Sequence, residues 1–313
     1  MKLAFIVDPL ASFNLKKDTT YAMMVEAAAR GHTLYAFQQD DLAWHKHQVS
    51  AHAAELQLTG STPDWFHLQP ATTIVLSDFD AVIMRKDPPF DMEYIYSTYL
   101  LELAERGGAR IFNRPQAIRD YNEKMAIARF AEFTAPSLVT RKLDWLQDFI
   151  DSHTDVILKP LDGMGGASIF RVAATDPNRN VILETLTAHG QRTIMAQRYI
   201  PAISAGDKRV LVIGGEPVPY CLARIPKAGE TRGNLAAGGT GVAQALNARE
   251  RQIAEALGPQ LIAAGLLLVG LDVIGDYLTE VNVTSPTCFQ EITTQTGCNV
   301  AAIFMNSLEK IIK

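Results

Sequence analysis

Two stretches of this sequence bring together residue types that do chemistry in company. In "KPLDGMGGASIFRV" (159 to 172), Lys159 and a proline close an apolar run, and Gly163, Gly165 and Gly166 follow at once. Without Cβ atoms, successive amides can turn inward as a concave donor surface for phosphate oxygens, with Lys159 beside that anion as a point charge. The spacing G-x-x-x-x-G-K-[ST] is absent, so this is a loop between two strands rather than a strand-to-helix phosphate loop. A plain hairpin turn with a surface lysine has the same local pattern. In "GLDVIGDYLTEVNVTSP" (270 to 286), Asp272, Glu280 and Asn282 lie inside apolar strand runs, where an uncompensated charge is costly. Oxygen-only ligands suit Mg²⁺, which keeps waters and bridges to substrate phosphates. Structural pairing of these acids with Arg209 or Arg224 is the competing reading.

Register separates the two. Glu280 and Asn282 are two apart and share a strand face. A two-residue Gly275-Asp276 turn with a regular ladder sets Asp272 opposite Thr279, on the face away from Glu280. A three-residue loop or a bulge sets it opposite Glu280, as a shared cation requires.

The elements that must carry these residues change character along the chain. "KLAFIV" (2 to 7), a helical "KDTTYAMMVEAAARGH" and "TLYAF" (33 to 37) make a β-α-β unit and hence a parallel sheet. "DAVIM" (80 to 84), a helical "MEYIYSTYLLELAERGG" and "ARIFN" (109 to 113) continue it. The turn after the first strand, "DPLASFN", holds no glycine, which excludes a dinucleotide fingerprint. From about residue 155 the texture becomes short strands joined by glycine turns, as in "KRVLVI-GG-EPVPYCLARI", with helical stretches at about 123 to 132, 180 to 189 and 247 to 264. The fold class is α/β followed by α+β.

At 313 residues, two or three packed lobes are expected. A formal charge of -5 gives no basic field, which counts against nucleic acid or a membrane as partner. Three cysteines without ligand or disulfide spacing point to a reducing compartment, and "MKLAFIVDPLA" is too short for a signal core, so the cytoplasm is expected. "HKHQVSAH" (45 to 52) reads as the solvated face of a polar helical stretch.

Together "ILKPLDGMGGASIFRV", "DKRVLVIGGEPVPYCLARIP", "ETRGNLAAGG" and "GLDVIGDYLTEVNVTSPT" resemble the bacterial glutathione synthetases of the ATP-grasp superfamily, and "IMRKDPPFD" (83 to 91) and "NRPQAIRDYNEK" (113 to 124) extend the match over nearly the whole chain. The resemblance implies an ATP-grasp fold: an N-terminal parallel-sheet α/β domain (1 to 122) and an ATP-grasp domain (123 to 313). The latter has a small lid part (about 123 to 200) and a C-terminal α+β part (about 201 to 313). Carried over by position, Lys124 and Lys159 reach the nucleotide phosphates under Gly163, Gly165 and Gly166. The backbone of Gln197, Arg198, Tyr199 and Ile200 meets adenine, and Asp207 meets ribose. Asp272, Glu280 and Asn282 hold Mg²⁺, with Mn²⁺ as a possible substitute. Arg209 and Arg224 flank the transferred phosphoryl group. Arg85, Arg232, Gly239, Asn282, Ser285 and Thr287 fall to the substrate.

The implied reaction joins γ-glutamylcysteine to glycine with ATP through an acyl phosphate, by charge neutralisation rather than a nucleophilic side chain. No histidine lies in the matched motifs, so no general base is assigned. "IPKAGETRGNLAAGGTG" (225 to 241) has the composition of a mobile lid, although Thr240 stands where the family pattern has arginine. The family precedent is a homotetramer. Another ATP-grasp carboxylate-amine ligase and a non-catalytic ATP-binding regulator are the rival readings.

Overall fold

The computed structural model describes residues 1 to 313 apart from 62, 63, 164, 228, 231, 232, 234, 236 and 237. Three sheets organise the chain. The first contains β1 (Lys2–Ile6), β2 (Thr33–Phe37), β3 (Leu42–His45), β4 (Gln48–Leu58), β5 (Phe66–Leu68), β6 (Thr72–Val75), β7 (Ala81–Met84) and β8 (Ile111–Phe112). Its centre, β2-β1-β7-β8, is parallel, and β4 adds antiparallel beside β2 to carry β3, β5 and β6. The parallel part is joined by α1 (Thr19–Ala29) and α2 (Met92–Arg106). Both helices start on an aspartate cap, since Asp18 accepts from the Tyr21 amide and Asp91 from the Tyr94 amide.

The histidine stretch at 45 to 52 is a correction. It forms the β3/β4 hairpin, turning through Lys46 and His47, both at positive φ, and not a helix. His45, His47 and His52 are exposed.

After α3 (Pro115–Asp120), residues Met125–Phe133, expected as a helix, form 3₁₀ turns with a kink at Phe130. The second sheet is antiparallel, in the order β11 (Phe170–Ala173), β10 (Asp155–Pro160), β12 (Ile194–Arg198), β9 (Ser137–Thr140). It is backed by α4 (Leu143–His153) and α5 (Arg179–Leu186), whose Leu146, Ile150 and Leu183 close a separate core. The third sheet is antiparallel, β15 (Thr240–Ala245), β14 (Glu216–Ile225), β13 (Asp207–Ile213), β16 (Leu268–Ile274), β17 (Tyr277–Asn282). Helix α6 (Ala248–Ala263) covers one face, meeting Val210, Val212 and Val269. Helices α7 (Phe289–Thr296) and α8 (Val300–Ile312) join the other face to the first sheet, Phe289 and Phe304 packing among Leu211, Leu222, Phe5 and Met24.

One buried side chain stitches the first and third sheets. Asn113 donates to the carbonyls of Leu268 and Val283 at 2.8 Å each and accepts the Leu268 amide at 3.0 Å. All its amide groups are thereby satisfied inside the protein, as burial demands.

Candidate active site

The site grows from the ladder of the third sheet. Asp207 and Arg209 lie two apart on β13. Arg224 on β14 is the cross-strand partner of Asp207, Asp272 on β16 that of Arg209, and Glu280 on β17 that of Asp272. These five side chains therefore leave one face of the sheet, and Asn282, opposite Gly270, joins them. The parity comes from a bulge. The hairpin turn at Gly275-Asp276 has two residues, yet the register shifts between Val273↔Leu278 and Asp272↔Glu280, leaving Thr279 as the extra residue. Its hydroxyl donates to the Asp272 carbonyl at 3.1 Å. Gly270 gives Arg209 its space, since a Cβ there would stand 2.8 Å from Arg209 Cδ.

Charge is balanced within this face. Arg209 grips Asp272 through Nε at 2.5 Å and Nη2 at 3.0 Å, and Arg224 Nη2 lies 2.8 Å from Asp272 and 2.5 Å from Asp207. Burial alone would push the Asp272 carboxyl up, but the two guanidinium charges override it and hold it well below the usual carboxylate range. Asp207 has only a share of Arg224, and its Oδ1 has no partner among the described residues. Burial pushes it up to about 7.

The second sheet supplies the opposite wall. Lys159 on β10 is buried, with Nζ 3.4 Å from the Thr279 carbonyl, 3.5 Å from Gln197 Oε1 and 3.8 Å from Glu280. Desolvation lowers its pKa, only partly offset by Glu280. Lys124 reaches the Gly163 carbonyl at 2.7 Å, pairs closely with Glu123 and lies 3.6 Å from Glu280. Its burial disfavours the charge, but Glu280 and Glu123 outweigh that and raise its pKa. Gly165 and Gly166 take positive φ, +63° and +82°, as a loop of inward amides needs.

Between the sheets lies a cavity of about 360 Å³. Its walls include Lys124, Lys159, Gly163, Gly165, Gly166, Gln197, Arg198, Tyr199, Ile200, Asp207, Arg209, Arg224, Glu280, Asn282, Ser285 and Thr287. The amides of Arg198 and Tyr199 are tied at 2.9 Å to the carbonyls of Pro136 and Asp155. Asp272 stands just behind Arg209 and Arg224, 2% exposed.

Arg85 and Gly239 are not among the lining residues. Arg85 is buried behind the wall, donating at 3.0 Å to Thr20 Oγ1 and to the Pro286 carbonyl. Gly239 packs on the backbone of Gly233 and Ile225. Arg232 lies outside the described residues, as do residues 228, 231, 234, 236 and 237 of the expected lid. Two lining carboxylates were not picked out from the sequence: Glu123, and Asp87, which accepts the Ser285 hydroxyl and whose amide donates to Asp8 at 2.9 Å. Both stand inside the "NEK" and "KDPP" segments, where an acid beside a lysine was the available signal.

Comparison with known proteins gives the family. Residues 1–119 match the family model of the prokaryotic glutathione synthetase N-terminal domain, and residues 123–297 that of the prokaryotic glutathione synthetase ATP-grasp domain. A glutathione synthetase of Ralstonia nicotianae is 62% identical over 99% of this chain and 96% of its own length. One of Nitrosomonas europaea is 61% identical over 100% and 98%. Among solved structures, a D-cycloserine synthetase superposes with a TM-score of 0.69 at 16% identity, each chain covered in full, and an ATP-grasp RimK domain protein of Sphaerobacter thermophilus with 0.65 at 20%, over 98% of this chain and 99% of that one. These share the fold. With both halves matched in order and full-length relatives above half identity, the chain belongs to the prokaryotic glutathione synthetase family of ATP-grasp ligases.

Proposed function

We propose that this protein joins γ-L-glutamyl-L-cysteine to glycine, consuming ATP and releasing ADP and phosphate through an acyl phosphate. The observation that carries the reading is the cavity in which Lys124 and Lys159 face Arg209, Arg224, Glu280 and Asn282 across two antiparallel sheets. A carboxylate is a poor acyl donor until phosphorylated, and that transfer is governed by positioning and charge neutralisation. Lys124 and Lys159 would take the nucleotide phosphates, covered by the amides of Gly163, Gly165 and Gly166. Arg209 and Arg224 would hold the dipeptide carboxylate against the transferring phosphoryl group and steady the oxyanion formed on amine attack. Asp207, with its unpartnered Oδ1, suits a ribose hydroxyl, and the 197 to 200 segment the adenine edge. Ser285 and Thr287 line the substrate side. Asp87, which forms no direct ion pair among the described residues, suits a substrate ammonium.

The residues fit a divalent ion. Among the described residues no three His, Cys, Asp and Glu side chains are arranged as a metal site, but here two carboxylates and an amide supply the oxygens. An ionised Asp offers roughly four lone-pair sites, and among the described residues Asp272 meets two guanidinium groups, those of Arg209 and Arg224. Asn282 donates Nδ2 to the Gly270 carbonyl at 3.1 Å, which leaves Oδ1 for a cation. Asp272, Glu280 and Asn282 would hold Mg²⁺, or Mn²⁺ in its place, and the bound ion would neutralise phosphate charge during transfer.

We also take the domain division at 122/123, a cytoplasmic location and a homotetramer as parts of this reading. No helix of the described residues is long and apolar enough to cross a membrane. The test is ADP formation with ATP, Mg²⁺ and γ-glutamylcysteine, with and without glycine. Strong dependence on both substrates is expected. Turnover on another acid and amine pair, such as D-alanine with itself, in place of these would overturn the assignment.

A further inference from the structure

Asn122 stands two residues before Lys124, and both halves of its side-chain amide are committed. Its Oδ1 accepts the amides of Lys124 at 3.1 Å and Met125 at 3.0 Å, while its main-chain carbonyl accepts the Ala126 amide at 2.8 Å. It therefore caps the turn that presents Lys124. Its Nδ2 donates to the Leu161 carbonyl at 3.1 Å, 39 residues away and just ahead of the glycine loop. The next residue ties the same turn to the third sheet, since the Glu123 carbonyl accepts the Val281 amide at 2.8 Å, between Glu280 and Asn282. One short side chain fixes Lys124, the loop and the strand of Glu280 against one another.

That bond matters because another hold on the loop is exchangeable. Lys124 is surrounded by Glu123, the Gly163 carbonyl and Glu280. A polyphosphate offers several charged oxygens, and of these three neighbours the Gly163 carbonyl is the uncharged one. Charge-assisted hydrogen bonds are the stronger kind, so the Gly163 contact is the one most readily given up. Gly163 then loses its hold on Lys124 at the moment the loop amides are needed. Two anchors stay. Arg192 Nη2 meets both Asp162 oxygens at 2.8 Å, but both side chains are more than half exposed, and such a pair contributes little. Asn122 is part-buried, and it is not among the residues lining the catalytic cavity, so a ligand there leaves its bonds in place.

We propose that Asn122 is a positioning residue, holding Leu161, and with it the glycine loop, over the nucleotide phosphates while Lys124 changes partner. The inference rests on the reading of Lys124 and this loop as phosphate-binding. Calorimetry with Mg-ATP tests it, beside inhibition by adenosine, which carries no phosphate for the loop to hold. Asn122→Ser keeps a hydroxyl able to cap the turn but too short to reach Leu161. The dissociation constant for Mg-ATP and the KM for ATP are expected to rise about fivefold, with kcat within about twofold and the inhibition constant of adenosine unchanged. Asn122→Ala loses the cap as well and is expected to lower kcat too, since Lys124 is then no longer presented. Circular dichroism of both nucleotide-free variants is expected to match the wild-type chain. Wild-type affinity for Mg-ATP in Asn122→Ser, or an equal loss for ATP and adenosine, would overturn the proposal while leaving the reading of the site intact. A wild-type chain that binds no Mg-ATP would bring down both.

Discussion

Lys124, Lys159, Arg209 and Arg224 at the cavity are each answered by a carboxylate, so single substitutions there act on stability and catalysis together. Asp272→Asn removes the one charge that both Arg209 and Arg224 share. Breaking a buried pair from one side costs about 3 kcal/mol, and that loss is expected in denaturant unfolding together with near-complete loss of ADP formation. Lys159→Met keeps the shape and deletes the point charge. The expected result is an unchanged far-UV spectrum and a fall in kcat/KM for ATP of roughly a hundredfold or more. Asp207 gives a signed pH dependence. Its folded pKa of about 7 lies above the ordinary 3.8, so between these values the folded chain holds a proton that the unfolded chain has shed. Its contribution is full below about pH 4 and is lost as pH rises through 7. Asp272, depressed instead, contributes above about pH 4 and loses that contribution only at lower pH. Relative to Asp207→Asn, the wild-type chain should therefore lose stability from pH 4 to 7; a constant difference in unfolding free energy across that interval would contradict the burial of an unpartnered Oδ1.

At the scale of elements, the strands that carry chemistry were legible because charges interrupt apolar alternation, as at Asp272, Glu280 and Asn282. The parity of Asp272 was left between two registers, since a two-residue turn and a bulge differ by one residue whose backbone alone decides; Thr279 takes that place and also bonds the Asp272 carbonyl. The first sheet was half legible. Strands β3 and β4 lie in an alanine- and histidine-rich stretch whose propensity leans to helix, and their turn uses Lys46 and His47 at positive φ without the Asn-Gly signal. Tertiary pairing with β2 overrode local preference. Arg85 was carried over as a substrate contact, but a neighbour 201 residues away, the Pro286 carbonyl, engages it. In the loop, Gly165 at φ +63° has open space around a would-be Cβ, so Gly165→Ala introduces strain without a clash. A cost of about 1 kcal/mol is expected, felt as a raised KM for ATP with little change in melting temperature.

Across the whole molecule, the third sheet is the shared wall: α7 and α8 fix it to the first sheet, Asn113 seals the seam, and Lys124 and Lys159 reach it from the side of the second sheet. The balance of charge between the walls has a consequence for which ligand form is admitted. Four cations, Lys124, Lys159, Arg209 and Arg224, are matched by four carboxylates, Glu123, Asp207, Asp272 and Glu280. A polyphosphate arriving alone would draw the lysines and strand Glu280; a divalent ion arriving alone would draw Glu280 and strand the lysines. On the proposed reading only the two together let every partner be exchanged at once, so nucleotide affinity by calorimetry is expected to fall at least about tenfold in EDTA.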